Sequence, residues 1–267
     1  PLFNGGAGSG ESEIRRFMLE HDYLEAIVAL PTDIFFRTGI GTYIWLISNR
    51  KHEQRKGKVQ LIDATGMGAS MRKNEGNKRK FIDQDSINEI SRIYADFEPS
   101  LVSKIFDYTD FGYRRVKVLR PLRIDIQFDN EKLALLKESK DFCKLSNDEQ
   151  TVLLSSINAL LNQSKDYAWF EGEFLPNLAF KKISKGLKNT LITIFGVPNP
   201  DADVVVIDDE VQMDSNLTDY ENIPLNQEID AYMAKEVLPH APDAVIDTSY
   251  TDTKDGQVGV VGYEINF

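Results

Sequence analysis

Residues 23–64, YLEAIVALPTDIFFRTGIGTYIWLISNRKHEQRKGKVQLIDA, decide the fold. Tyr23 to Leu30 is a short apolar run containing β-branched residues, which predicts a buried strand stopping at Pro31. After a turn through Arg37-Thr38-Gly39, Thr42 to Ser48 reads as a second buried strand. Asn49 to Gly57 is polar and connecting, and Lys58 to Ala64 forms a third strand. The short link lets the last two strands pair as an antiparallel hairpin. Upstream, Gly5 to Gly10 reads as a loop, and Glu11 to His21 as a helix with Ile14, Phe17 and Met18 on one face. Ser9 or Ser12 serves as its cap. The expected class is α/β: the later strands only of an incomplete sheet.

Beyond Ala64 the pattern changes. Thr65 to Phe81 is Gly-rich and basic, and reads as an irregular loop. Ser86 followed by Glu89 predicts a capped helix reaching Phe97. Ser103 to Ile124 holds two extended stretches around Phe111-Gly112-Tyr113, which read as a hairpin. Helices are then expected over Glu131–Phe142, Asn147–Asn162 and Asn177–Phe195. A strand at Val204–Ile207, a helix over Asn226–Val237 and a closing strand pair follow. The expected division is residues 1–125 for the α/β piece and 126–267 for a mainly helical region with an acidic α/β tail.

The chain has 267 residues, 42% hydrophobic and 27% charged, which suffices for a substantial core. No apolar run approaches the roughly 20 residues of a membrane span. Cys143 is the sole cysteine, so no disulfide forms within the chain, and a reducing, cytoplasmic setting is expected. His21, His52 and His240 lack ligand spacing, so no metal site is expected. The net charge of −11 argues against indiscriminate nucleic-acid binding, yet the charge is uneven. Lys and Arg concentrate between Met71 and Arg123, whereas Lys235 and Lys254 are alone among many carboxylates after Asp201. A basic middle and an acidic tail read as surfaces for different partners.

Three ordered segments carry a family resemblance. The first is Pro1-Leu2-Phe3 and the glycine-rich loop, Glu11 to Arg16, Leu24 to Pro31, then Phe35-Phe36-Arg37-Thr38-Gly39-Ile40-Gly41-Thr42. The second is Met71-Arg72-Lys73 through Lys78-Arg79-Lys80, Ser103 to Asp107, Phe111 to Arg115 and Arg120 to Arg123. A thinner third comprises Glu221 to Leu225, Val237 to Ala244 and Gly262 to Ile265. Together they resemble the C-terminal part of the modification subunit of type I restriction–modification systems, a DNA-adenine methyltransferase.

That resemblance implies a Rossmann-like methyltransferase sheet and transfer of a methyl group from S-adenosylmethionine to N6 of adenine in double-stranded DNA. It also implies a specificity subunit and a restriction subunit as partners. The glycine turn that holds the methyl donor and the Asn-Pro-Pro-aromatic motif that holds the flipped base are both missing here. With no initiator Met either, the chain is expected to be a piece of a longer protein, inactive alone, with no catalytic residue of its own and the donor site mostly elsewhere. Phe36, with Phe35 as the other candidate, is expected to stack on the extruded base, one of the two packing inward. Thr38 and Gly39 shape their loop. Arg72, Lys73, Lys78, Arg79 and Lys80 are expected at DNA phosphates, with Arg114 and Arg115 as further candidates. The alternative is a non-catalytic DNA- or protein-binding module.

Overall fold

In the computed structural model, which describes residues 4–178 and 180–267, β1 (Leu24–Leu30) is buried along its whole length. The Pro1-Leu2-Phe3 part of the first matched segment lies outside the described residues. A strand buried on both faces belongs inside a sheet. β1 accordingly lies between β2 (Thr42–Ile47), antiparallel to it, and β3 (Lys58–Asp63), parallel to it. The expected hairpin between the second and third strands therefore does not form, because the uniformly apolar β1 takes the place between them. The expected burial of the second strand also fails. β2 is the sheet edge, with Ile44 48% and Ile47 56% exposed.

A bulge at Glu25 sets which side chains go where. Leu24 pairs with Ile47 and Ala26 with Leu46, so one extra residue stands on β1. Leu24 and Ile27 thereby join Val59 and Leu61 on one face, while Val28, Leu30 and Ile62 pack on the other. The Glu25 carboxylate, nearly buried, accepts from the Tyr94 hydroxyl. Tyr94 lies on α2 (Gln84–Asp96), whose cap is Asp83 and not the expected Ser86; the Asp83 side chain accepts from Ser86 N. Arg55 seats this helix further, its guanidinium lying 4.1 Å from the Tyr94 ring centroid and 4.2 Å from that of Phe97.

The first helix, α1 (Gly10–Glu20), is capped by Ser9 as one of the two expected caps. Its buried face is not the apolar one. Ile14 and Phe17 are half-exposed, whereas Ser12, Arg15, Arg16 and Leu19 are buried. The reason is the neighbouring backbone. Arg15 donates to Tyr263 O (2.5 Å), Asn4 O (2.8 Å) and Gly5 O (2.5 Å), carbonyls that a leucine would leave unsatisfied.

Thr65–Phe81 is not an irregular loop but a two-stranded hairpin of β4 (Ala69–Glu75) and β5 (Lys78–Phe81). β6 (Ser103–Asp107) completes the main sheet beside β3, giving the order β2-β1-β3-β6. β7 (Gly112–Leu119) does not fold back on β6 as expected. The strand Val260–Tyr263 pairs antiparallel with it, placing Val261, Tyr263 and Ile265 in the core that also holds Leu19 and Phe111.

The chain forms two compact units. One comprises Pro1–Lys117, Tyr220–His240 and Ile246–Phe267, and the other Val118–Asp219 with Ala241–Val245. In the second unit, β8 (Ile124–Gln127) is flanked by Ser164–Asp166 and Gly196–Pro198, both antiparallel. Around them pack α3 (Asn130–Glu138), α4 (Lys140–Cys143), α5 (Asn147–Asn158) and the helix Lys185–Phe195. Ser146 and Glu149 form the capping box of α5. Ile126, Phe128, Leu136, Leu153, Phe170, Leu191 and Phe195 fill the core. The overall class is mixed α/β.

Candidate nucleic-acid interface

The loop leaving β1 is built of turns. Pro31 ends the strand, and Asp33 adopts the left-handed conformation with φ 61°. Phe35 and Thr38 form an isolated antiparallel bridge, and Ile40 N donates to Thr38 Oγ1 at 3.3 Å. Gly39 lies under Asp33: a Cβ there would stand 2.7 Å from Asp33 Oδ1. Because the segment turns and is not extended, the two aromatics do not alternate between core and surface. Both are outside, Phe35 48% and Phe36 57% exposed.

The basic hairpin is docked on this loop. Asn77 N donates to Phe36 O at 3.1 Å, while Arg79 N and Lys80 N donate to Asp33 O at 2.8 and 3.1 Å. Gly76, at the tip, has φ 60° in the first position of a two-residue turn, where hairpins favour glycine. Its missing side chain is also needed for contact, since a Cβ would lie 2.8 Å from Phe36 O and 3.3 Å from the ring Cε2. Pairing is irregular between Ser70–Lys80 and Glu75–Lys78, so Met71–Asn74 bulges opposite Arg79. Two groups of residues joined by contacts more than 40 positions apart in sequence are thus one surface. Sequence reasoning had found Phe35, Phe36, Thr38, Gly39 and the five cations, but not their junctions at Asp33, Gly76 and Asn77. The Gly76-Asn77 pair was the readable signal.

The two basic stretches differ in electrostatics. Among the described residues, no carboxylate forms an ion pair with Arg72, Lys73, Lys78, Arg79 or Lys80. The later stretch is neutralised by the acidic tail. Arg114 meets Asp255 at 2.6 Å, Lys117 meets Asp247 at 2.9 Å, and Arg120 and Arg123 share Asp243 at 3.0 and 3.2 Å. Arg114 holds the Asp255 carboxyl below its ordinary range, and Ser249 with Lys117 holds Asp247 at about 2. Burial would raise Asp243, but its two arginines outweigh that and lower it. Arg115 lies over the Tyr220 ring, 4.1 Å from its centroid. Among the described residues the hairpin cations are therefore not ion-paired, whereas Arg114, Lys117, Arg120 and Arg123 are neutralised within the fold.

The glycine-rich run does not fit a methyl donor. Ala7 N donates to the Tyr113 hydroxyl at 3.0 Å, Gly6 faces that hydroxyl, and Gly8 faces Val260. With Arg15 on the carbonyls of Asn4 and Gly5, the run is tethered to its own chain, its glycines remaining exposed.

Residues 2–111 match the N-6 DNA Methylase family. The chain is similar to methylase subunits of type I restriction enzymes. It is 26% identical over 154 residues to the type I restriction enzyme MjaVII methylase subunit of Methanocaldococcus jannaschii, covering 57% of this chain and 26% of that protein. Over 70 residues it is 40% identical to the HindI methylase subunit of Haemophilus influenzae, covering 25% of this chain and 15% of that protein. A crystal structure of the methyltransferase subunit of a type I restriction-modification system from Streptococcus thermophilus overlaps 41% of this chain and 21% of its own, at 23% identity and TM-score 0.35. The chain thus spans about a quarter of the length of MjaVII and its M. jannaschii relative MjaIX. The N-6 DNA methylase match covers β1 to β6, the aromatic loop and the basic hairpin, all within the first unit.

Proposed function

We propose that this chain is part of the modification subunit of a type I restriction–modification system. The parent protein transfers a methyl group from S-adenosylmethionine to N6 of adenine in double-stranded DNA. One observation carries the reading for this chain: a hairpin bearing five cations, none ion-paired among the described residues, is docked through the Asn77, Arg79 and Lys80 amides beside two exposed phenylalanines. Cations meet phosphates and fix a duplex in place, while an aromatic face receives a base taken out of the stack. Phe36, with Phe35 beside it, is the stacking residue of this proposal, and Thr38 and Gly39 set the loop.

The donor and the groups that act on the amine belong to another part of the parent, since the glycine run here enters α1 with no strand before it among the described residues and its Asn4 and Gly5 carbonyls are taken by Arg15. When bound, S-adenosylmethionine supplies the methyl group. The residues of this chain hold DNA. The half-exposed Ile44 and Ile47, on the outermost strand of the described sheet order, support an incomplete methyltransferase sheet. A specificity subunit would select the target, and a restriction subunit of the same system would be a further partner. For the second unit, which has its own core and exposes Leu135 and Val152, we propose contact with another protein.

Fluorescence anisotropy of a labelled duplex, titrated over a range of salt, tests the DNA reading. Arg72, Lys73, Lys78, Arg79 and Lys80 changed together to Gln should weaken binding and flatten the logarithmic salt slope by about 0.9 per lost phosphate contact. Unchanged affinity and slope would overturn it. Calorimetry with S-adenosylmethionine should give no binding heat; micromolar binding would contradict a donor site elsewhere.

A further inference from the structure

We propose that Asp33 and Gly76 are positioning residues that lock the basic hairpin to the aromatic loop. One extruded nucleotide is then held by its flanking phosphates at Lys78, Arg79 and Lys80 and by its base on Phe36. The proposal rests on the DNA-contacting reading above and goes further by dividing the cations and naming the joints.

Three contacts carry it. The Asp33 carbonyl accepts from two successive amides, those of Arg79 and Lys80. The Phe36 carbonyl accepts from Asn77 N, and Gly76 lies against the Phe36 backbone and ring. Lys78, Arg79 and Lys80 therefore project from the backbone stretch that is bonded to the aromatic loop. Arg72 and Lys73 do not: they lie in the bulged part of β4, with no backbone hydrogen bond to the loop among the described residues. A phosphate drawn to the first group is placed in fixed relation to Phe36. One drawn to the second is placed only relative to the hairpin.

Asp33 works through its backbone. Its φ of 61° turns the carbonyl toward both amides, and Asp, Asn and Gly are the residues that take this conformation readily. Its carboxylate occupies the space that a side chain at Gly39 would need. Gly76 combines positive φ with close approach, so any side chain there parts the tip from the ring.

The experiment uses the full chain and a duplex carrying 2-aminopurine opposite an abasic position, so that the base is already unpaired. Anisotropy reports total binding, and 2-aminopurine quenching at saturating protein reports stacking on an aromatic ring. Wild-type protein should bind and quench. Gly76→Ala and Asp33→Val should keep affinity within about twofold, because phosphate contacts dominate it, yet lose most of the quenching. Asp33→Asn should restore quenching, which a general loss of stability at that position would not predict. Lys78→Gln/Arg79→Gln/Lys80→Gln should reduce quenching at saturation, and Arg72→Gln/Lys73→Gln should reduce affinity alone. Circular dichroism confirms folding; should Asp33→Val unfold, Gly76→Ala and Asp33→Asn decide. Salt-sensitive binding with full quenching by Gly76→Ala would overturn this inference and leave the DNA reading standing. Absence of DNA binding by the wild-type chain would remove both.

Discussion

Arg16 reaches Asp252 across 236 residues of chain, Nη1 to Oδ2 at 2.7 Å, with both side chains almost entirely buried. The same carboxylate accepts from Val261 N at 2.9 Å and Lys254 N at 2.7 Å. Burial alone would raise the Asp252 carboxyl, but the amides of Val261 and Lys254 and then Arg16 outweigh it, leaving it lowered. Asp252→Ala leaves Arg16 with Glu20, 2.9 Å from its Nε, and leaves the Val261 and Lys254 amides without their acceptor, and should cost about 3 kcal/mol. Urea denaturation of a Trp169→Phe background, where Trp45 is the remaining tryptophan, measures it in the first unit.

Acid should weaken the fold in a definite window. Asp243, Asp247, Asp252 and Asp255 are all lowered in the folded chain, Asp247 to about 2. Below about pH 4 the unfolded chain takes up protons that these groups still refuse, so their contribution is complete above that value and drains away toward pH 2. Stability measured from pH 6 to pH 2 should fall through that interval. In Asp252→Asn the drop should be shallower, and equal steepness would remove Asp252 from this account.

Arg114 offers a control for the DNA interface. Its guanidinium is shared between Asp255 and the Gly259 carbonyl, at 2.6 and 3.1 Å. Arg114→Gln should lower the melting temperature while changing the salt slope of DNA binding by less than about one contact. A loss of slope comparable to that of the hairpin variants would place Arg114 on the DNA instead.

Tyr94→Phe should cost about 1–3 kcal/mol, since it leaves the nearly buried Glu25 carboxylate without the hydroxyl that donates to it. Glu25→Gln in the same background should recover part of the loss, as an amide can find other partners more cheaply than a charge. Thermal unfolding of the two variants and their combination forms the necessary cycle.

The edge of β2 should make the isolated chain prone to association. Ile44 and Ile47 stand half-exposed on the outermost strand of the described sheet order. Ile44→Lys should shift sedimentation velocity profiles at high concentration toward the monomer. Identical profiles would show that the edge is not the contact.

Much of this architecture was readable, and the failures have physical causes. β1 was legible because a run such as Leu24–Leu30 has few alternatives, and the helix expected over Asn147–Asn162 contains α5. The inner face of α1 was misread because an amphipathic pattern assumes that apolar residues face inward. Here the demand of backbone carbonyls for donors put Arg15 there, and the carboxylates of Glu20 and Asp252 put Arg16 there. The basic hairpin carried no alternating apolar pattern, so its strands were hidden behind lysines and arginines, although Gly76-Asn77 marked the turn. The aromatics and cations were individually identifiable. Their union depends on the carbonyl direction at Asp33, which no side-chain pattern encodes.

The discontinuity of the first unit has a bearing on biosynthesis. Val260–Tyr263 and Asp252 are the residues that satisfy α1, yet all of the second unit is translated between them. At ordinary elongation rates that interval lasts on the order of ten seconds. Throughout it, Arg15 awaits the Tyr263 carbonyl, Arg16 awaits Asp252, and β7 awaits Val260–Tyr263. A nascent chain paused there is the species that a holding chaperone would meet.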